Sequence, residues 1–136
     1  MTNKIEAMVY EEKVSLIPFV GLYDVADFMG NKLPGLAVSF YDELSEEPYA
    51  FLTVSFGEFI SIKNASYIDA NNVPEAVLKA CLEAGIAKQT PLTKHSGYVE
   101  YQLWVFDENW LKEIDEKKYA EYSTAYDNYM KVFGES

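Results

Sequence analysis

The sequence predicts a single α+β domain, spanning residues 1–136, built on a mainly antiparallel sheet of about five strands with one short helix and one long C-terminal helix. Three observations predict it. The first half of the chain alternates apolar and polar residues, with breaks too short for a parallel crossover. Around Val77 the apolar spacing becomes helical. From Asp107 to about Phe133 no glycine or proline interrupts the chain, so one helix of ~25 residues, roughly 38 Å long, fits there.

Each element has its own pattern. Ile5, Ala7 and Val9 alternate over residues 4–10, a half-buried strand. After the polar break Glu11-Glu12-Lys13, residues 14–23 are again β-like, with Val14, Leu16, Val20 and Leu22 in step. Pro18 cannot donate to a ladder and predicts an edge or a bulge at that point. Residues 24–35 read as a loop in which Asp24 caps one helical turn before Gly30. Leu36, Val38 and Phe40 alternate over 36–41, and Ala50, Leu52, Val54 and Phe56 over 49–56. Asp42-Glu43-Leu44-Ser45-Glu46-Glu47-Pro48 joins them as the acidic tip of a hairpin. Residues 59–62 and 65–69 are short β-like pieces. Asn72 as N-cap, Pro74 in the first turn and Glu75 at the capping-box position start a helix over about 73–84. Val77, Leu78, Cys81 and Leu82 form its apolar face, and Gly85 is its stop. Residues 87–97 read as a loop. Residues 98–106 read as a strand through Val99, Tyr101, Leu103 and Val105, and Asp107 as the N-cap of the long helix.

Composition narrows the function. The 136 residues are 49% hydrophobic, and a chain of this length buries roughly two thirds of its unfolded surface, enough for one core without disulfides or metals. Net charge is −11, from 22 acidic residues against 11 basic ones. Every cation is a lysine. That balance repels phosphate, and the side chain best shaped to hold phosphate or guanine is missing, so direct nucleic-acid binding is excluded. The single cysteine rules out an internal disulfide, and the single histidine leaves little for zinc or imidazole catalysis. No apolar run approaches the ~18 residues of a membrane span. Met1–Glu6 lacks the apolar stretch of a signal peptide, so a cytoplasmic protein is expected.

A set of motifs falls in order along the chain: Gly35-Leu36-Ala37-Val38-Ser39-Phe40-Tyr41-Asp42, Glu47-Pro48-Tyr49-Ala50-Phe51-Leu52-Thr53-Val54, Tyr67-Ile68-Asp69, Leu82-Glu83-Ala84-Gly85-Ile86 and Ser96-Gly97-Tyr98-Val99-Glu100-Tyr101. The series resembles a family of small domains of unknown function from gut Firmicutes and Bacteroidetes, often carried on conjugative elements and prophages. The resemblance covers about residues 35–106. Where the family often has Gly-Arg-Thr, this chain reads Pro91-Leu92-Thr93-Lys94. Many members also stop soon after the last strand, whereas here a helix over about 107–133 comes next. The family implies a setting, and small acidic proteins from such elements include anti-CRISPR and anti-restriction inhibitors.

No catalytic constellation emerges, and no metal or cofactor is expected. Cys81 lies on an apolar helix face and reads as a small buried hydrophobe; His95 lies in a polar loop and reads as a surface residue. The carboxylate pairs lack the spacing of a calcium loop, and there is no glycine-rich phosphate loop. Two features stand out. Asp42, Glu43, Glu46 and Glu47 make a dense acidic tip that can mimic phosphate. A second cluster, Asp107, Glu108, Glu113, Asp115 and Glu116, is diluted by Lys112, Lys117 and Lys118. Tyr119, Tyr122, Tyr126 and Tyr129 line one helical stripe. It reads as sheet cover or as a partner surface, because tyrosine combines apolar area with a hydroxyl. The expectation is a first half of the helix packed through Trp110, Leu111 and Ile114, with the tyrosines as contact surface.

The reading is therefore a non-enzymatic inhibitor. It binds a host protein with a basic nucleic-acid-binding surface, first a CRISPR effector nuclease and second a restriction enzyme. The alternative is an assembly module of a conjugative element or phage, acting through the tyrosine helix as a homodimer.

Overall fold

The computed structural model describes residues 4–134; the part of the N-terminal reading that falls on Met1–Asn3 lies outside them. β1 (Ile5–Val9), β2 (Glu12–Leu22), β3 (Leu36–Asp42) and β4 (Pro48–Phe51) form one antiparallel sheet in that order. β5 (Thr53–Val54), β6 (Ala65–Ile68), β8 (Val99–Phe106) and β7 (Ala87–Ser96) form a second. Three helices, α1 (Glu75–Glu83), α2 (Glu108–Ile114) and α3 (Glu116–Tyr129), pack on this frame, and a π-helical turn, Met130–Gly134, ends it. The α+β class holds. The expected sheet of about five strands is instead two sheets of four.

The difference arises at Leu52. Residues 49–56 read as one strand because the alternation runs through them unbroken. In the structure the chain bends there and passes from one sheet to the other. Leu52 N–H donates to the Val38 carbonyl of β3 at 2.9 Å, while its own carbonyl accepts from Asp69 N–H, just past β6, at 2.9 Å. Thr53 Oγ1 takes the next place on the ladder, accepting from Val38 N–H at 3.1 Å and bonding the Tyr23 hydroxyl at 2.7 Å. Both Leu52 and Thr53 are buried.

Inward-facing residues of both sheets and the helices form one core, including Leu16, Val20, Val38, Phe40, Leu52, Ile68, Trp104 and Phe106. Pro18 sits two residues beyond Leu16, where pairing with β1 stops, so β2 has a neighbour on one side only at that point. Of residues 87–97, expected as a loop, all but Gly97 form strand β7 and pair with β8 as far as Ser96↔Val99. Residues 59–62 form no strand, and the turn at 27–30 is organised by Asp27 rather than by an Asp24-capped helix.

α1 has Pro74 as its N-cap residue with no side-chain cap; Asn72 instead bonds the Asp69 carboxylate at 2.9 Å. Gly85 ends the helix at φ +74°, where a Cβ is disfavoured. The long helix expected over 107–133 is two helices and a turn. Asp107 caps α2 through Trp110 N–H at 2.9 Å, as expected. Asp115 then leaves helical conformation (φ −159°, ψ 93°) and caps α3 through Lys118 N–H at 3.0 Å. An aspartate can satisfy the first N–H groups of a new helix, so the axis changes direction there at little cost.

Candidate interaction surface

The tyrosine stripe faces inward. Tyr119, Tyr122 and Tyr126 are buried, each at most 6% exposed, in the common core. This corrects the expectation that the tyrosine half of the helix forms a contact surface. The hydroxyls explain the choice of residue. Tyr122 accepts from Asn64 N–H at 2.9 Å, and Tyr119 donates to Asn64 Oδ1 at 2.8 Å. The Asn64 carbonyl also accepts from Phe106 N–H at 2.8 Å. Leucines would fill the volume but leave these polar atoms of the left-handed Asn64 (φ +67°) unpaired. Burial pushes the Tyr122 hydroxyl pKa well above its ordinary value. Tyr129, the fourth, is half-buried; its ring lies 4.7 Å from Phe59 and 4.7 Å from Phe133, and its hydroxyl donates to Asp27 at 3.1 Å.

The acidic tip divides into two. Asp42 builds the turn: its carboxylate accepts from Leu44 N–H at 2.9 Å, its N–H donates to the Glu47 carbonyl at 2.9 Å, and its carbonyl accepts from Glu46 N–H at 2.8 Å. Glu43 pairs with Lys4 at 2.6 Å. Glu46 and Glu47 are exposed, with no ion pair among the described residues, and Leu44 stands 89% exposed between them and Glu43. The second acidic cluster is largely engaged within the fold. Asp107 and Asp115 are caps, and Glu108 pairs with Lys112 at 3.2 Å and lies 3.2 Å from the Tyr119 hydroxyl, sharing its proton with Asn64.

Beside the tip lies a surface that the sequence reading missed. The first sheet buries its even-numbered β2 and β3 side chains, among them Leu16, Val20, Leu36, Val38 and Phe40. Its other face carries Ile17, Phe19, Tyr41 and Phe51, which are 37%, 45%, 38% and 70% exposed. Register sets them side by side: Phe19 opposite Ser39 opposite Phe51, and Ile17 opposite Tyr41. The rings of Phe19 and Tyr41 lie 4.5 Å apart. The signal was present in the sequence, because β2 and the 49–56 segment carry large apolar residues on both alternating faces.

Elsewhere, Cys81 is buried in α1, and burial pushes its thiol up to about 12, far from a reactive thiolate. His95 is exposed on β7, 3.0 Å from Glu100. A groove of about 280 Å³ runs between α1 and the second sheet, lined by Leu78, Leu82, Ile68 and Trp104. At its side Gln102 Oε1 accepts from both Trp104 Nε1 and Gln89 Nε2. Among the described residues no group of three His, Cys, Asp or Glu side chains is placed to hold a metal ion, and no helix is long and apolar enough to cross a membrane.

These features define a small α+β domain whose exposed chemistry is a carboxylate-bearing hairpin tip beside an aromatic sheet face. The chain belongs to the DUF4313 family, a domain of unknown function, whose model matches residues 22–126. The match is wider than the 35–106 region of the sequence motifs and takes in α2 and most of α3, so the C-terminal helices are part of the family domain rather than an addition to it. No curated protein and no solved structure matches the chain.

Proposed function

We propose that the chain is a non-enzymatic binding protein acting in the cytoplasm, whose acidic surface occupies the basic nucleic-acid-binding surface of a host defence protein. A CRISPR effector nuclease is the first target and a restriction enzyme the second. Origin on a mobile element comes with that reading and rests on the sequence resemblance alone. The observation that carries the acidic mode of binding is the pair Glu46 and Glu47, exposed and without an ion pair among the described residues, on a turn that Asp42 holds in shape. Carboxylates fixed in this way compete for lysines and arginines that otherwise hold phosphates, without first losing backbone freedom. The net charge of −11 steers such an encounter.

Because Asp42 and Glu43 have structural partners, the clean test is Glu46→Lys with Glu47→Lys. Inhibition of DNA cleavage is measured with a CRISPR effector nuclease and with a restriction enzyme, at low and high salt. The wild type should inhibit one of them, less at high salt, and the double variant should associate more slowly, most clearly at low salt. Absence of inhibition of either enzyme, or full inhibition by a folded double variant, refutes the reading.

A further inference from the structure

We infer that the outer face of the first sheet is the interface of a symmetric homodimer, in which two copies pack sheet against sheet. This goes beyond the acidic-tip reading and does not depend on it.

The first reason is charge. Two copies of a −11 chain repel, and a self-interface is tolerated only where that charge is locally absent. The outer face is such a place. Its charged residues pair off, Lys13 with Glu6 at 2.6 Å and Lys4 with Glu43 at 2.6 Å, and the rest of its centre is uncharged. A second copy meets apolar surface between the two ion pairs, with Glu46 and Glu47, which have no ion pair among the described residues, confined to the hairpin tip at one end of the face.

The second reason is relief. Phe19, Phe51, Tyr41 and Ile17 stand beside Ser39, Ala37 and Gly21, which are small and lie on the same face. A Cβ placed on Gly21 would meet nothing within 4 Å. The face thus carries bulk and notch together, and a two-fold axis sets the bulk of each copy over the notch of the other, as an isologous interface requires. Packed sheets keep their strands within about 30° of one another, so both rows can engage at once.

The third reason is area. Taking about 200 Å² for a large side chain, the exposed fractions of the four bulky residues amount to about 400 Å² per copy. That is half of the ~800 Å² per partner in a standard interface. Met8, 60% exposed on β1, and the ion-paired rim extend the same face.

The test is the molar mass of the full chain by sedimentation equilibrium, from about 1 to about 200 μM, in ~50 mM and ~500 mM salt. A dimer is expected that tightens with salt as repulsion is screened, the opposite of binding to a basic partner. Phe19→Ser with Phe51→Ser leaves net charge unchanged and should weaken association at least about tenfold. Gly21→Gln, which fills the notch at a half-buried site where a Cβ meets no neighbour, should do the same while leaving the circular dichroism spectrum intact. A monomer at every concentration and salt overturns the inference and leaves the face to a different protein. A dimer that survives both variants unchanged overturns it too.

Discussion

Thr53 shows how much one hydroxyl can do. Its Oγ1 accepts from Val38 N–H across the point where the chain changes sheets, and it also bonds Tyr23. Valine has the same shape but would leave a buried backbone N–H and a phenol without partners. Thr53→Val should therefore destabilise the domain by about 1–3 kcal/mol, and Thr53→Ser should recover most of the loss. The chemical-denaturation midpoints of the two variants check this. Asn64 works in the same manner on the other sheet, where three of its polar atoms bond Tyr119, Tyr122 and Phe106. Neither role is visible in the sequence, since a threonine inside a β pattern and an asparagine between two β-like pieces read as ordinary strand and turn residues.

Among elements, the β1–β2 turn is the most open to improvement. Val9 pairs with Glu12, so the loop is Tyr10-Glu11, and both residues are left-handed, at φ +50° and +68°. That is the two-residue turn best matched to strand twist, which favours Asn-Gly. A left-handed residue other than glycine or asparagine costs roughly 1–2 kcal/mol, and Tyr10, 93% exposed, contributes little packing. Tyr10→Asn with Glu11→Gly should raise stability by about 1 kcal/mol, read as a higher urea midpoint at unchanged slope. The elements legible in the sequence were those with one buried face: β1, β3 and α1 carry a clean apolar period, whereas in β8 the expected face of Val99, Tyr101, Leu103 and Val105 buries only Leu103, and Trp104 and Phe106 of the opposite face enter the core. β7 was not, because Lys88, Gln89, Thr93, Lys94 and His95 are polar on both sides of a strand that is mostly exposed. The break at Asp115 was hidden for another reason, since a helix-starting residue inside a helical run leaves the apolar period almost unchanged. The candidate surface was half legible. The acidic tip stood out by charge density, but the turn-building role of Asp42 and the inward aim of the tyrosines depend on tertiary packing.

For the whole molecule, the phenols give stability a distinctive pH profile. Burial raises the Tyr122, Tyr119, Tyr126 and Tyr23 hydroxyls above their ordinary value, and raises Cys81 from 9.0 to about 12. Each group is neutral when protonated, so the fold favours the protonated form. Their contribution is fully present below the unfolded pKa and is lost as pH rises towards the folded one. From about pH 6 the urea midpoint should therefore be flat up to about pH 8.5, decline from about pH 9 as Cys81 ionises in the unfolded chain, and fall more steeply above about pH 10. Cys81→Ala should remove the first part of the decline and leave the second.

The shared backbone of Leu52 has a kinetic meaning. Its N–H belongs to one sheet and its carbonyl to the other, so displacing this one residue costs a hydrogen bond in both sheets at once. The pairings that join them bring Val38 and Asp69 to the same residue, closures that cost more loop entropy than the tight β1–β2 and β7–β8 hairpins. The two sheets are therefore expected to open as one cooperative unit at this seam. The β7–β8 hairpin, farthest from the seam in the strand order and closed by the two residues between Ser96 and Val99, is the pairing expected to form without waiting for it.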